Sequence, residues 1–142
     1  KASKEIDNGV NKKALEYGNK LHFALEMIDF INPDYSIIDD YSIRNKIKSF
    51  VNSDILKDVS KAKVFKEYEF EDKNNLTKGV IDLFLKYEDR IILIDYKTKN
   101  IDDSHYDEQI KVYYNFLKSK YNLNIEAYLY SIIDEKYRKI EF

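Results

Sequence analysis

Cysteine is absent from the 142 residues of this chain. Its absence excludes disulfide bonds, thiolate zinc sites, iron–sulfur ligation by cysteine and cysteine nucleophiles. No apolar run approaches the ~20 residues that a membrane-spanning helix requires, and no signal peptide is visible. Because the net charge is only −2, the chain as a whole does not attract nucleic acid, and any phosphate binding must be local.

Aromatic and aliphatic residues, by contrast, are plentiful. Tyrosine occurs 13 times, phenylalanine occurs 8 times, and 44% of the residues are hydrophobic, which is typical of a globular protein with a real core. We predict a single domain over 1–142, in which 1–60 is mostly helical and 61–142 forms a sheet. The chain begins with Lys-Ala-Ser rather than methionine, so we expect it to be a fragment of a longer protein.

Periodicity and turn residues predict the order of the elements. Apolar residues at helical spacing predict helices over 3–30 (or two helices with a break near Gly9), over 40–51, and from a cap at 102, 103 or 104 to about 121, with a short one starting at 53 or 54. Runs rich in β-branched, aliphatic and aromatic residues predict strands over 62–70, 78–85, 90–98, 124–131 and 136–142. This order favours an α/β (mixed α+β) fold with a central mixed sheet flanked by helices and an N-terminal helical segment.

The second and third predicted strands form a hairpin that carries acidic residues. If Glu88 and Asp89 are its tip, Asp82 lies directly opposite Asp95. Side chains alternate faces along a strand, so Lys97 points the same way as Asp95. Opposed Cβ atoms lie about 4.5–5.5 Å apart, close enough for one divalent cation to bridge two carboxylates. The pairing therefore predicts two carboxylates and an ammonium on one patch.

Two alternatives remain open for this patch. The register could slip by one residue, because the tip is not Asn-Gly or Asp-Gly and fixes the pairing only weakly. Alternatively, Lys97 could form a salt bridge with one aspartate, without a metal. Like charges opposed across a sheet destabilise it, so the predicted pairing makes physical sense with a cation. Alternation puts the apolar residues on two covered faces, with Val80, Phe84 and Leu93 on one and Ile81, Leu83, Ile92 and Ile94 on the other.

A histidine on the first helix is the next candidate. His22 follows Gly18 by four residues and precedes Leu25 by three, so the three share one helix face. Glycine within a helix costs roughly 1 kcal/mol relative to alanine, a cost that a close approach of this face to another element would explain. His22 is therefore expected to point inward, either as a hydrogen-bonded core residue or as a metal ligand beside the aspartates.

The other candidates lie on the first strand and the last helix. Glu67 and Glu69 are expected to face solvent or to support a ligand rather than to bind a metal themselves. Tyr106, Gln109 and Tyr113 share one helix face, which is most often an aromatic core stripe. Gln109 fits that interpretation less well, because a buried amide needs hydrogen-bond partners.

Together these motifs resemble a known family. They are similar to the RecB-type branch of the PD-(D/E)xK nuclease superfamily, and most similar to the carboxy-terminal nuclease domain of AddA-type helicase–nucleases. Relatives of the AddB type carry cluster-binding cysteines, which this chain lacks. It also lacks a Walker A motif, so helicase activity is not predicted in it. The resemblance covers most of the chain and rests on Gly18-x-x-x-His22, Glu67-Tyr-Glu-Phe70, Gly79-Val80-Ile81-Asp82, Asp95-Tyr96-Lys97-Thr98 and Tyr106-x-x-Gln109-x-x-x-Tyr113.

The resemblance implies a restriction-endonuclease-like core and a role for each motif residue. Asp82, Asp95 and Lys97 would be catalytic, with Lys97 positioning or activating the attacking water. The resemblance also implies that Mg²⁺ or Mn²⁺ is bound by four groups and that the DNA backbone is approached by two more. These are His22, Asp82, Asp95 and the backbone carbonyl of Tyr96 for the metal, and Gln109 and Tyr113 beside the metal and the DNA.

The implied function is a metal-dependent DNA exonuclease domain of a helicase–nuclease in double-strand break repair and recombination. Its expected partners are DNA, mainly single-stranded ends, and a helicase domain or subunit, with no membrane and a cytoplasmic location. Two alternatives are a non-cleaving nucleic-acid-binding or scaffold module with a nuclease fold and a structure-specific endonuclease.

Overall fold

Among the residues that the structure describes, five strands form one mixed sheet and three α-helices lie against its faces. The computed structural model describes residues 8–98 and 101–142. The helices are α1 (Asn8–Met27), α2 (Tyr41–Val51) and α3 (His105–Tyr121), and the strands are β1 (Lys63–Asp72), β2 (Thr77–Lys86), β3 (Arg90–Lys97), β4 (Asn124–Ser131) and β5 (Lys136–Ile140). Short 3₁₀ turns occupy Tyr35–Ile37, Asp54–Leu56 and Val59–Lys61. None of the helices in the described ranges combines the length and apolarity needed to cross a bilayer.

The strands follow one another across the sheet in chain order. Every neighbouring pair is antiparallel except β3 and β4, which are parallel. Parallel strands need a crossover connection, and α3 supplies it. The prediction of a mixed sheet flanked by helices is confirmed, and the arrangement is consistent with a restriction-endonuclease-like core. The first helix runs through Gly9, and the part of its predicted span at 3–7 lies outside the described residues.

Capping and turn residues explain several boundaries. The carboxylate of Asp40 accepts a hydrogen bond from the amide of Ile43, which places the start of α2. Between β2 and β3, the amide of Tyr87 donates to the carbonyl of Arg90, so Glu88 and Asp89 are the hairpin tip, as predicted. The left-handed backbone of Asn122 ends α3.

An apolar core lies on each face of the sheet. One lies between the sheet and helices α1 and α2, and the other lies between the sheet and α3. Residues of the first include Leu21, Leu25, Ile28, Ile47, Phe50, Leu83, Leu85, Ile92 and Ile94. Residues of the second include Ile81, Phe84, Ile91, Leu93, Ile110, Leu117 and Leu129. The sheet is thus covered on both sides, as its near-continuous apolar strands predict.

The strict alternation predicted for β2 is wrong at one place. Ile81 does not share a core with Leu83 but lies in the second core, with Phe84. Neighbouring β1 changes sides at the same level, since Val64 packs against the first core and Tyr68 against the second. The switch falls at 67 on β1 and 82 on β2. It decides which way the acidic side chains of these two positions point.

Candidate metal centre

The β2–β3 hairpin has the predicted register, but its ladder is shorter than predicted. Leu83 pairs with Ile94, and the regular pairs continue from there toward the tip. The predicted pair of Asp82 with Asp95 lies one step beyond the last ladder pair. Instead, Oδ2 of Asp82 accepts a hydrogen bond of 2.8 Å from the amide of Tyr96. A side-chain carboxylate has thus replaced the backbone partner, and this ties Asp82 to the end of β3.

Glu67 has an unusual backbone conformation beside Asp82. Its φ is 47°, in the left-handed region that is uncommon for residues other than glycine. Lys66 pairs with Leu83 and Tyr68 with Ile81, but Glu67 itself is left out of the ladder. Strained backbone of this kind is found at functional sites, where the surrounding fold holds it in place.

Three side chains from three elements meet here. Nε2 of His22 lies 3.5 Å from Oδ1 of Asp82. One ligand atom each from His22, Glu67 and Asp82 lie within 4.8 Å of one another, a spacing at which one metal ion can bind all three. His22 is neither a core residue nor free in solvent, because its side chain is 40% exposed. The ring of Tyr96 meets the imidazole edge-on with 6.0 Å between centroids, which helps to fix its orientation.

Asp95 lies deeper than this cluster. The residue is 4% exposed, and its Oδ2 has no hydrogen bond of good geometry among the described residues. The nearest cation is the ammonium of Lys97, whose Nζ lies 2.9 Å from that oxygen. An ion pair of Lys97 with one aspartate was one of the alternatives from sequence, and this contact is present. This ion pair offsets part of the cost of burying the Asp95 carboxylate.

The pKa values of this cluster reflect burial and mutual repulsion. Burial and the charge of Asp82 raise the pKa of Asp95 to about 7, against the opposing effect of Lys97. The same two causes raise the pKa of Glu67 to about 7. The hydrogen bond with Asp82 raises the pKa of His22. The two carboxyls are harder to ionise because burial penalises their charge and the Asp82 anion repels it, so the donor set fits a divalent cation.

Helix α3 faces the other side of Lys97. Nζ of Lys97 donates to Oε1 of Gln109 at 3.1 Å, and Nε2 of Gln109 donates to the hydroxyl of Tyr113 at 3.1 Å. The ammonium also lies 4.2 Å from the centroid of the Tyr106 ring. The core-stripe interpretation holds for the two tyrosines, because Tyr113 is 7% exposed in the second core and the half-buried Tyr106 packs against that core. Gln109 is exposed, so its amide is not a buried group in need of partners.

Two glycines allow this close packing. A Cβ at Gly79 would lie 3.1 Å from the Tyr113 ring and 3.2 Å from the Phe70 ring, so a side chain there would push Tyr113 away. A Cβ at Gly18 would lie 3.1 Å from Cγ2 of Thr98. This confirms the predicted close approach of the first helix to another element, namely the end of β3. Residues 99 and 100, which follow, lie outside the described residues.

Sequence reasoning missed Glu67 as a member of the cluster. Regular alternation along β1 gives no reason to place its carboxylate with Asp82 and His22, and we expected it to face solvent or to support a ligand. The structure places one of its carboxylate oxygens within 4.8 Å of a potential ligand atom of each. A glycine or asparagine at position 67 would have suggested a left-handed backbone there, but a glutamate does not. All the candidate residues predicted from sequence do lie around this one end of β3.

Comparison with known proteins gives sequence relatives, whereas no family model matches the chain. The chain is 31% identical over 137 aligned positions to an ATP-dependent helicase/nuclease subunit of Clostridium acetobutylicum, covering 69% of this chain and 11% of that protein. It is 26% identical over 148 positions to the protein of the same name from Lactococcus lactis subsp. lactis, covering 82% of this chain and 12% of that one. The exonuclease/helicase subunit RexA of Lactococcus lactis subsp. cremoris matches with the same identity and coverage.

The chain therefore spans about a tenth of the length of the curated relatives it matches. The comparison confirms one part of the resemblance stated from sequence, namely the relationship to helicase/nuclease subunits. Homologues of this chain are ATP-dependent helicase/nuclease subunits of the AddA/RexA type.

Proposed function

We propose that this domain is a metal-dependent deoxyribonuclease that hydrolyses phosphodiester bonds. One observation carries the proposal. His22, Glu67 and Asp82 bring ligand atoms within 4.8 Å of one another, beside the nearly buried Asp95. A fold gains no stability from gathering carboxylates in this way, so the arrangement favours a bound cation.

The donor set selects the kind of metal. Carboxylate oxygens with one imidazole suit Mg²⁺ or Mn²⁺, and the histidine shifts the preference slightly toward Mn²⁺. We propose His22, Asp82, Asp95 and the backbone carbonyl of Tyr96 as its ligands, and we add Glu67 from the structure. Held by these residues, a metal would supply a bound water of lowered pKa and would polarise a phosphoryl oxygen.

The protein's own groups would do the remaining work. The Tyr96 amide holds Asp82 in place through a 2.8 Å hydrogen bond, so this carboxylate is oriented before substrate arrives. Lys97 supplies a compact positive charge that would position the attacking water and balance charge on the phosphate. Gln109 and Tyr113 extend from Lys97 along α3, where they would contact the DNA backbone.

The relatives support a substrate and a setting. Their names describe helicase/nuclease subunits, and from these we infer that the domain acts on DNA ends unwound by an attached or partner helicase. We propose exonuclease action on single strands during double-strand break repair and recombination, in the cytoplasm. With a net charge of −2, the isolated domain is expected to bind DNA weakly, so delivery by a motor would matter.

A cleavage assay with four substrates tests this proposal. Linear single-stranded, linear double-stranded, circular and branched DNA are incubated with Mn²⁺, with Mg²⁺ and with EDTA. We expect metal-dependent degradation of linear single strands, which Asp82→Ala should abolish and the matched control Asp89→Ala, at the exposed hairpin tip, should retain. Cutting of branched DNA alone would favour a structure-specific endonuclease. Phosphate binding without any cleavage would favour a scaffold.

A metal titration tests the site without relying on activity. Calorimetric titration of Mn²⁺ into the domain should show saturable binding, which Asp82→Ala should remove and Asp89→Ala should leave intact. Equal heats for all three proteins would contradict the proposed centre.

A further inference from the structure

The face of the Tyr106 ring lies against the ammonium of Lys97. Nζ is 4.2 Å from the ring centroid, well within the range of about 6 Å in which a cation is attracted to an aromatic face. The same nitrogen lies 2.9 Å from Asp95 Oδ2 and 3.1 Å from Gln109 Oε1. A carboxylate, an amide oxygen and a ring face therefore surround one ammonium.

Each of the three groups constrains the lysine differently. Lysine has a flexible four-carbon stem and a charge without directional preference, so a single contact leaves it free to swing. Asp95 alone would draw the ammonium toward the backbone of β3. The α3 groups act from the other side, because Tyr106 and Gln109 are one helical turn apart and face the strand together. The Lys97 side chain is 19% exposed, so water screens these contacts only partly.

The ring differs from the other two contacts in one useful respect. Unlike the two oxygens it has no lone pair to accept an N–H, so it restrains Lys97 while leaving an N–H free for a phosphate oxygen or a water. A second carboxylate at this place would add negative charge where the DNA phosphate must approach. A purely aliphatic side chain would not attract the ammonium.

We propose that Tyr106 is a positioning residue that holds the Lys97 ammonium at the reacting phosphate. This inference rests on the nuclease function proposed above. In this role Tyr106 acts through Lys97 and does not itself contact the substrate, and its hydroxyl is not needed.

Kinetics of three variants test the role. Tyr106→Leu removes the ring face, Tyr106→Phe keeps it without the hydroxyl, and Tyr41→Leu is a matched control at a tyrosine that is 72% exposed on α2. We expect Tyr106→Leu to lower kcat about tenfold, or roughly 1.4 kcal/mol, with KM little changed. Tyr106→Phe and Tyr41→Leu should keep the wild-type kcat. An unchanged kcat in Tyr106→Leu, or an equal loss in Tyr106→Phe, would overturn the proposal.

A spectroscopic readout separates this proposal from the nuclease function. Lysines of the metal-free protein are reductively methylated with ¹³C-formaldehyde, and the Lys97 signal is assigned by its absence in Lys97→Arg. The ring current should shift this methyl signal upfield in the wild type and in Tyr106→Phe, and the shift should vanish in Tyr106→Leu. Should the leucine variant fail to fold, Tyr106→Met provides the same comparison.

The two readouts then give distinct outcomes. An upfield signal that needs the ring, in a protein that cleaves nothing, would support the positioning and contradict the nuclease function. A Lys97 signal that is the same with and without the ring would overturn the positioning, whether or not DNA is cut.

Discussion

The two ends of the β2–β3 hairpin are built differently. Toward the tip, Leu83 to Lys86 pair regularly with Ile91 to Ile94, and the apolar side chains are buried in the two cores. At the opposite end, the ladder stops before Asp82, whose carboxylate takes the Tyr96 amide as its partner. Regular pairing thus persists where both faces are apolar, and it gives way where acidic groups converge. One end contributes stability, and the other is the candidate site.

Alanine at the site end should have the largest effect on function. We expect Asp95→Ala or Lys97→Ala to abolish DNA cleavage while the fold remains, because each removes a charge of the proposed centre and neither residue belongs to the two apolar cores. Nuclease assays and circular dichroism measure the two properties. The matched control Asp89→Ala, at the tip, should cleave normally. An unfolded Asp95→Ala protein would mean that the residue is structural.

Alanine in the regularly paired part of the hairpin, which begins at Leu83, should give the reverse result. Leu83 is completely buried, so Leu83→Ala should lower the free energy of unfolding by about 2–5 kcal/mol through lost burial and a cavity. Urea denaturation of the metal-free protein measures this. Leu76→Ala, at a leucine that is 90% exposed, is the control and should change stability little. If Leu83→Ala is as stable as that control, the proposed division between the two ends is wrong.

Loss of the histidine should weaken metal binding more than it weakens the fold. We expect His22→Ala to raise the Kd for Mn²⁺ at least about tenfold, since it removes one proposed ligand. His105→Ala is the matched control, because the side chain of His105 is 89% exposed. Calorimetric titration compares the two. An unchanged titration in His22→Ala would reduce His22 to a packing role.

The pH dependence of stability should follow the carboxylates of the site end. Burial and repulsion raise the folded-state pKa of Asp95 and Glu67 to about 7, above the unfolded values of about 4. Protonation is therefore easier in the folded protein, and this stabilisation is full below about pH 4 and lost as the pH rises through about 7. The raised pKa of His22 acts in the same direction.

Thermal unfolding in EDTA tests this. The melting temperature of the wild type should rise as the pH is lowered from 8 to 5. Asp95→Asn should make the melting temperature depend less on pH and should raise it at pH 8. Saturating Mn²⁺ should stabilise the protein at pH 8 and so reverse the trend. A melting temperature in EDTA that falls steadily from pH 8 to pH 5 would contradict the assigned pKa shifts.

The smallest expected effect concerns the strained backbone of Glu67. Glu67→Gln removes the charge but keeps the left-handed conformation, whereas Glu67→Gly also relieves the strain. We expect the glycine variant to be more stable than the glutamine variant by about 1 kcal/mol in EDTA. Urea denaturation of both proteins measures the difference. Equal stability would indicate that the φ of 47° carries no cost.

The fold was largely predictable from sequence, but the candidate site only in part. Hydrophobic periodicity located the helices and strands within a few residues, because most local preferences agree with the tertiary structure. The hairpin register also followed from the tip at Glu88 and Asp89. The side of the sheet on which the Glu67 side chain lies could not be predicted, because no residue pattern in β1 or β2 indicates the local break in alternation. The roles of His22 and Tyr96 in binding metal stay predictions.

The sequence by itself determined a single mixed sheet covered by helices, since apolar runs and turn residues act locally or between neighbouring strands. Only the tertiary structure decided that Glu67 joins His22 and Asp82, and that the Tyr106 ring lies on Lys97. These contacts link elements far apart in the chain. They depend on how α1 and α3 sit against the sheet and on one left-handed residue that the surrounding packing holds in place.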